Sequence, residues 1–136
     1  MELKVLASAK YKVTAATDRG KCPVQEALLE GEESTTAWRE KLLNMIDDIS
    51  DFGLHEAPSI WSKCVDAENG IYELKAGKLR LFYFKGHGSI VLVCTSLSRK
   101  VSQKVNKADV KKAISIKNQY QDAVDSNEVS FITDEE

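Results

Sequence analysis

Between Ile71 and Leu97, short apolar runs alternate with glycine-bearing breaks. Ile71–Ala76 is the first run, and Gly77-Lys78 turns the chain. Leu79 to Lys85 then reads LRLFYFK, apolar on both parities, so it is expected as a central strand covered on both sides. Gly86-His87-Gly88 makes a second hairpin connection, and Ser89 to Leu97 a third strand. Sequential strands joined by such short turns predict an antiparallel meander.

The flanks carry other periods. Residues 2–16 alternate loosely, with Leu3, Val5, Ala7, Tyr11, Val13 and Ala15 on one parity. They predict a strand interrupted near Ser8 to Lys10. Asp18-Arg19-Gly20 marks a turn, and Pro23 opens a short helix that runs to about Glu30. Ser34, Thr35 and Thr36 offer caps for a longer helix, in which Trp38, Leu42, Met45, Ile46, Ile49 and Phe52 recur every three or four residues. Gly53 is placed to end it. Residues 54–69 read as a connection anchored by Ile60, Trp61 and Val65. After a polar stretch over 98–106, Asn106 is placed to cap a final helix carrying Val110, Ala113, Ile114, Tyr120 and Val124.

These elements predict an α+β fold: an N-terminal strand and two helices packed on a sheet, then a C-terminal helix. Residues 1–124 are expected to form one domain and residues 125–136 an acidic flexible tail. Hydrophobic content of 43% and charged content of 29% fit a soluble globular protein. No apolar run is long enough to cross a bilayer, and the N-terminus lacks the continuous apolar core of a secretory signal, so a cytoplasmic protein is expected. Cys22, Cys64 and Cys94 are scattered and form no metal-ligand pattern. They are expected as reduced thiols, with Cys94 in the core and no metal or other cofactor bound.

Charge changes the picture. Residues 71–120 hold eleven basic side chains against only Glu73 and Asp109, a balance of +9 in a chain whose net charge is -2. Such segregation points to a polyanion-facing surface on an otherwise acidic molecule. The patterns GxSxG, Walker A, HExxH and GxGxxG are missing, and His55 and His87 are isolated. Asp47, Asp48 and Asp51 read as a solvated helix face rather than a metal cluster. Arg80 is the one charge in a strand of Leu, Phe and Tyr. It either pairs with Glu73 across the hairpin or projects into a cleft to hold a phosphate. Arg99 and Lys100 follow the third strand, with Lys104 and Lys107 close behind. Cations converging on one hollow can split RNA without metal or histidine, by stabilising the charge that builds as a 2′-hydroxyl attacks its phosphate. A lysine crowded by other cations can serve as base. Tyr83 and Tyr120 are candidates for stacking on bases.

The order of motifs resembles the phage-derived, HigB-type branch of the RelE toxin superfamily. The matching pieces are DRGKCPVQEALLE, WREKLLNMIDDISDFG, GIYELKAGKLRLFYF and SIVLVCTSLSRKVSQKVNKADVKKAISIKNQY, spanning about Tyr11 to Ala123. The resemblance implies a RelE-like fold, with helices against a curved antiparallel sheet. It implies a type II toxin that cuts messenger RNA on the ribosome and is held inactive by a cognate antitoxin, expected as a helix-turn-helix protein. A homo-oligomer or a heterotetramer with that antitoxin is the expected assembly. Arg80 matches the family's central-strand arginine, and Arg99 and Lys100 its paired basic residues; these three are the expected catalytic residues. Lys75, Lys78, Lys104, Lys107 and Tyr83 are the expected RNA-binding residues. Lys75 stands where the family usually has arginine, and the usual proline after Lys104 is absent. A toxin-fold module without catalysis, gripping a protein or nucleic acid, is the alternative; a toxin-fold inhibitor of another target, such as a topoisomerase, is a third reading. Asp134, Glu135 and Glu136 are expected to fold over the basic surface and weaken RNA binding.

Overall fold

The computed structural model of the chain describes residues 1–134. Its strands are β1 (Glu2–Ser8), β2 (Lys12–Ala16), β3 (Ser62–Asp66), β4 (Ile71–Ala76), β5 (Leu79–Phe84), β6 (Ile90–Arg99) and β7 (Ser130–Ile132). The helices are α1 (Pro23–Leu29), α2 (Thr36–Phe52) and α3 (Lys107–Asp125). All seven strands join one sheet in the order β3-β4-β5-β6-β2-β1-β7. The fold is α+β, as the periodicities require.

The sheet is larger than expected, and mixed rather than antiparallel. β3 through β6 form the antiparallel meander. β2 lies parallel to β6, and β7 parallel to β1. Two of these strands fall where the sequence read otherwise. β3 lies in the segment expected as a connection; as an edge strand it buries none of its residues and leaves the adjacent Lys63 and Cys64 open to solvent, so no apolar alternation announces it. Ile60, expected as an anchor there, is 78% exposed. Likewise, the segment expected as a frayed tail places Ser130–Ile132 against β1. A backbone ladder can form whatever the side chains carry, so the acidic composition did not prevent pairing. Glu135 and Glu136 lie outside the described residues.

β5 shows why the sheet needs helices on both faces. Leu79, Leu81 and Tyr83 enter a core with α1 and α2, built from Val24, Leu28, Leu42, Met45, Ile46 and Ile49. Phe84 belongs to a second core on the other face, with Val93, Ala113 and Tyr120 under α3. Cys94 is fully buried in the first core. The α2 stripe is inward except at its end, where Phe52 is 62% exposed. Gly53, at φ 93, stops the helix with its N–H on the Ile49 carbonyl. At the start of α3, the Asn106 side-chain oxygen accepts from the N–H groups of Ala108 and Asp109.

Candidate nucleic-acid interface

The cationic residues meet where β5 and β6 pair at one end of the sheet. The two-residue turn at Gly77-Lys78 sets Lys75 opposite Arg80 and Glu73 opposite Phe82. On the other side of β5, Arg80 faces Ser98 and Leu79 faces Arg99. Strand alternation therefore sends Glu73, Lys75, Arg80, Phe82, Ser96 and Ser98 to the α3 side. Arg99 goes to the α2 side, where its guanidinium lies 5.6 Å from the Trp38 ring and 3.6 Å from a Glu32 carboxylate oxygen. Beyond β6 the Lys100 N–H donates to the Lys78 carbonyl at 2.7 Å, which holds these two lysines together.

Two adjoining hollows result. The first, of about 140 Å³, is lined by Glu73, Arg80, Phe82, Ser98, Arg99, Lys100, Lys104 and Asn106, among others. The second is wider, about 740 Å³, and adds Lys78 and Gln103 to Arg80, Arg99 and Lys100. Arg80 and Arg99 thus leave the sheet on opposite faces yet reach the same end of it. Lys75 and Lys107 line neither hollow.

Arg80 is held at the floor. One of its terminal nitrogens donates to the carbonyls of Gly77 at 2.8 Å and Leu79 at 2.9 Å. Its Nε lies 3.8 Å from the Glu73 carboxylate, with the side chains 15% and 4% exposed respectively. That separation is an ion contact but too long for a hydrogen bond. The Nε is buried and has no hydrogen-bond acceptor among the described residues. Arg80 therefore contacts Glu73, as the pairing alternative expects, and it also lines the cavity. The other carboxylate of the basic segment is fully engaged. Asp109 accepts from Ser96 Oγ at 2.9 Å and Ser98 Oγ at 2.6 Å, tying the first turn of α3 to β6. This fixes Asn106 and the preceding loop over the hollow.

Tyr83 does not belong to this surface. It is 1% exposed, its hydroxyl shares a 2.7 Å hydrogen bond with Ser62 Oγ, and its ring stacks on Tyr72 at 5.5 Å. Burial pushes its hydroxyl up to about 12. Three residues from Arg80 on the same strand, it faces the α1/α2 core instead. Tyr120 is equally buried, and its hydroxyl accepts from the His87 N–H at 3.0 Å. Nor does Asp134 cover the basic end: its carboxylate is bonded to Lys4 at 2.5 Å and Gln25 at 2.9 Å. Asp47, Asp48 and Asp51 are solvent-exposed on α2.

The polar lining residues not singled out for the site from the sequence include Glu73, Ser98, Ser102, Gln103 and Asn106. The Glu73 signal was present, since a two-residue turn fixes the register and puts it on the face of Arg80. No family profile matches the chain, and no curated protein sequence matches it either. Among the described residues, no helix is long and apolar enough to cross a membrane.

Proposed function

We propose that this chain is a ribosome-dependent messenger-RNA endonuclease of the toxin type, with a RelE-like arrangement enlarged by two edge strands. The observation that carries this reading is the gathering of Arg80, Arg99, Lys100 and Lys104 around one small cavity from separate parts of the chain. A cavity of this kind suits a bent ribose-phosphate. In the cleavage, the ribose 2′-oxygen forms a bond to the adjacent phosphorus and the bond from phosphorus to the 5′-oxygen breaks. The hydroxyl proton passes to a base at the cavity, and the departing 5′-oxygen takes a proton from a lysine ammonium. The products are a 2′,3′-cyclic phosphate and a 5′-hydroxyl. Fixed guanidinium and ammonium groups stabilise the charge on the phosphoryl oxygens and need little rearrangement to do so.

The test is expression of the chain alone, with mapping of message ends on ribosomes. Growth should stop and messages should be cut. Arg80→Ala should slow cleavage by roughly 10²–10³-fold, the cost of removing one fixed charge donor. Intact transcripts under strong expression of the folded wild-type chain refute the reading.

A second reading is a toxin-fold module that binds a partner without cutting. The Glu73 carboxylate inside the cavity favours it, because a negative charge there opposes a phosphate. So does the 3.6 Å contact of Arg99 with a Glu32 carboxylate oxygen, which offsets part of that guanidinium's charge. A stable complex with nucleic acid or a protein, and no cleavage with ribosomes present, selects it.

A further inference from the structure

We propose that a groove at the C-terminal end of α2 receives the Arg99–Lys104 loop of a second copy of the chain, so that molecules join head to tail. The contact stands apart from the RNA reading. Its consequence, that a joined loop is closed to RNA, rests on that reading.

The groove, of about 590 Å³, is lined by Asp48, Asp51, Phe52, Glu56, Pro58 and Trp61, among others. Its apolar side chains are open to solvent: Phe52 is 62% exposed, and Ile60, just before Trp61 in sequence, is 78% exposed. Apolar side chains grouped in an open hollow mark a surface that a partner covers. The rim is acidic. Among the described residues, the Asp48 and Asp51 carboxylates have no ion pair or hydrogen bond, and Glu56 has only His55, at 3.7 Å. The lining holds one ammonium, Lys10, which lies over the Tyr11 ring at 5.7 Å. An occupant that suits this groove carries an apolar side chain between cations, whereas a polyanion or an anionic membrane is repelled.

The chain itself displays such a segment. Val101 is 93% exposed, the most open large apolar side chain among the described residues. It stands in the run RKVSQK, between Arg99, Lys100 and Lys104. This loop cannot reach the groove of its own molecule. Gly77 and Arg99 both lie against Trp38, which places the loop beside the first turn of α2. Phe52 closes the same helix about 21 Å away. The loop is tied at both ends, by the Lys100 N–H on the Lys78 carbonyl and by Asn106 as the cap of α3, so its tip extends about 10 Å at most. A second molecule must supply it. Arg99, Lys100 and Lys104 of one copy then meet Asp48, Asp51 and Glu56 of the next, and Val101 enters beside Phe52 and Trp61. Each molecule offers one groove and one loop at opposite ends of α2. The contact is therefore heterologous and builds a row or a closed ring rather than a two-fold dimer. Arg99, Lys100 and Lys104 also line the basic hollow, so joining covers it.

Sedimentation velocity of the full chain is the experiment. The wild-type sedimentation coefficient should rise with concentration between about 10 µM and 1 mM, the range for a small charged contact, and added salt should reduce the rise. Val101→Asp spoils the loop, and Asp51→Lys spoils the groove. Both positions are exposed, and each variant alone should stay monomeric where wild type has joined, a weakening of about tenfold or more. Mixed one to one, the two variants should form a species of twice the 15.1 kDa chain and stop there, because one keeps its groove and the other its loop. Should circular dichroism show that Asp51→Lys fails to fold, Phe52→Ser takes its place. A wild-type chain that stays monomeric across the range overturns the proposal, even if the groove then binds a basic segment of another protein. So does a mixture that stays monomeric, or variants that associate as wild type does. A short single-stranded RNA should release the joined wild-type molecules. Pairing in the mixture without release by RNA keeps the contact and overturns its effect on RNA binding.

Discussion

Gly77→Ala is expected to damage this protein more than its backbone angle accounts for. Gly77 occupies φ 56, a left-handed conformation that costs a residue with a Cβ about 1–2 kcal/mol. A Cβ built there would lie 2.0 Å from Trp38 Nε1 and 2.1 Å from Trp38 Cε2, far inside contact distance. Trp38 must therefore move, and forcing one extra carbon into packed surroundings costs about 1–3 kcal/mol more. Gly88 is the matched control: its φ is 61, and a Cβ there meets nothing within 4 Å. Gly88→Ala carries the backbone cost without the collision. Urea denaturation of both variants should separate them by the packing cost alone, about 1–3 kcal/mol. For a chain of this size that is a difference in Tm of roughly 3–10 °C. The displaced indole also leaves the Arg99 guanidinium without the ring it lies over, so Gly77→Ala should weaken RNA binding where Gly88→Ala does not. Equal stability loss in the two variants refutes the reasoning, because only the shared backbone angle would then matter.

Two further outcomes follow from groups the structure removes from the basic surface. Tyr83 has its hydroxyl raised by burial, so its neutral form belongs to the folded state; stability should be fully present below about pH 10 and fall between about 10 and 12. Tyr83→Phe should flatten that fall, cost about 1 kcal/mol through the lost Ser62 bond, and leave RNA affinity unchanged; an unaltered alkaline profile in the denaturation midpoint counts against it. Truncation after Asp125 should lower Tm by stripping the ladder from β1, but should not tighten RNA binding, since Asp134 is bonded to Lys4 and Gln25; a rise in affinity by anisotropy revives the tail as a cover.

The elements legible in the sequence are those whose signals are local. Gly77-Lys78 and Gly86-His87-Gly88 bracket β5, and its apolar residues on both parities require cover on both faces, which α2 and α3 supply. Asn106 as the cap of α3 was equally plain. β3 and β7 escaped because edge strands do not need an apolar alternation, and SKCVD carries none. The parallel pairing of β2 with β6 depends on partners far apart in sequence, for which periodicity holds no information. At the site, Arg80, Arg99, Lys100 and Lys104 were found through charge and resemblance. The misplacement of Tyr83 was avoidable: an odd separation from Arg80 along one strand puts the two on opposite faces. The side on which Arg99 emerges depends on the β5–β6 register, which the Gly86-His87-Gly88 loop does not reveal.

The meander from β3 to β6 joins neighbours in sequence, whereas β2 reaches β6 only by closing a loop of more than half the chain. Short closures cost less entropy and occur sooner. Refolding should therefore begin in residues 62–99, with the N-terminal hairpin docking on a preformed platform. Substitutions in β5 should slow refolding, and those in β1 should chiefly hasten unfolding. The turn that presents Arg80 would then be in place before the hairpin arrives.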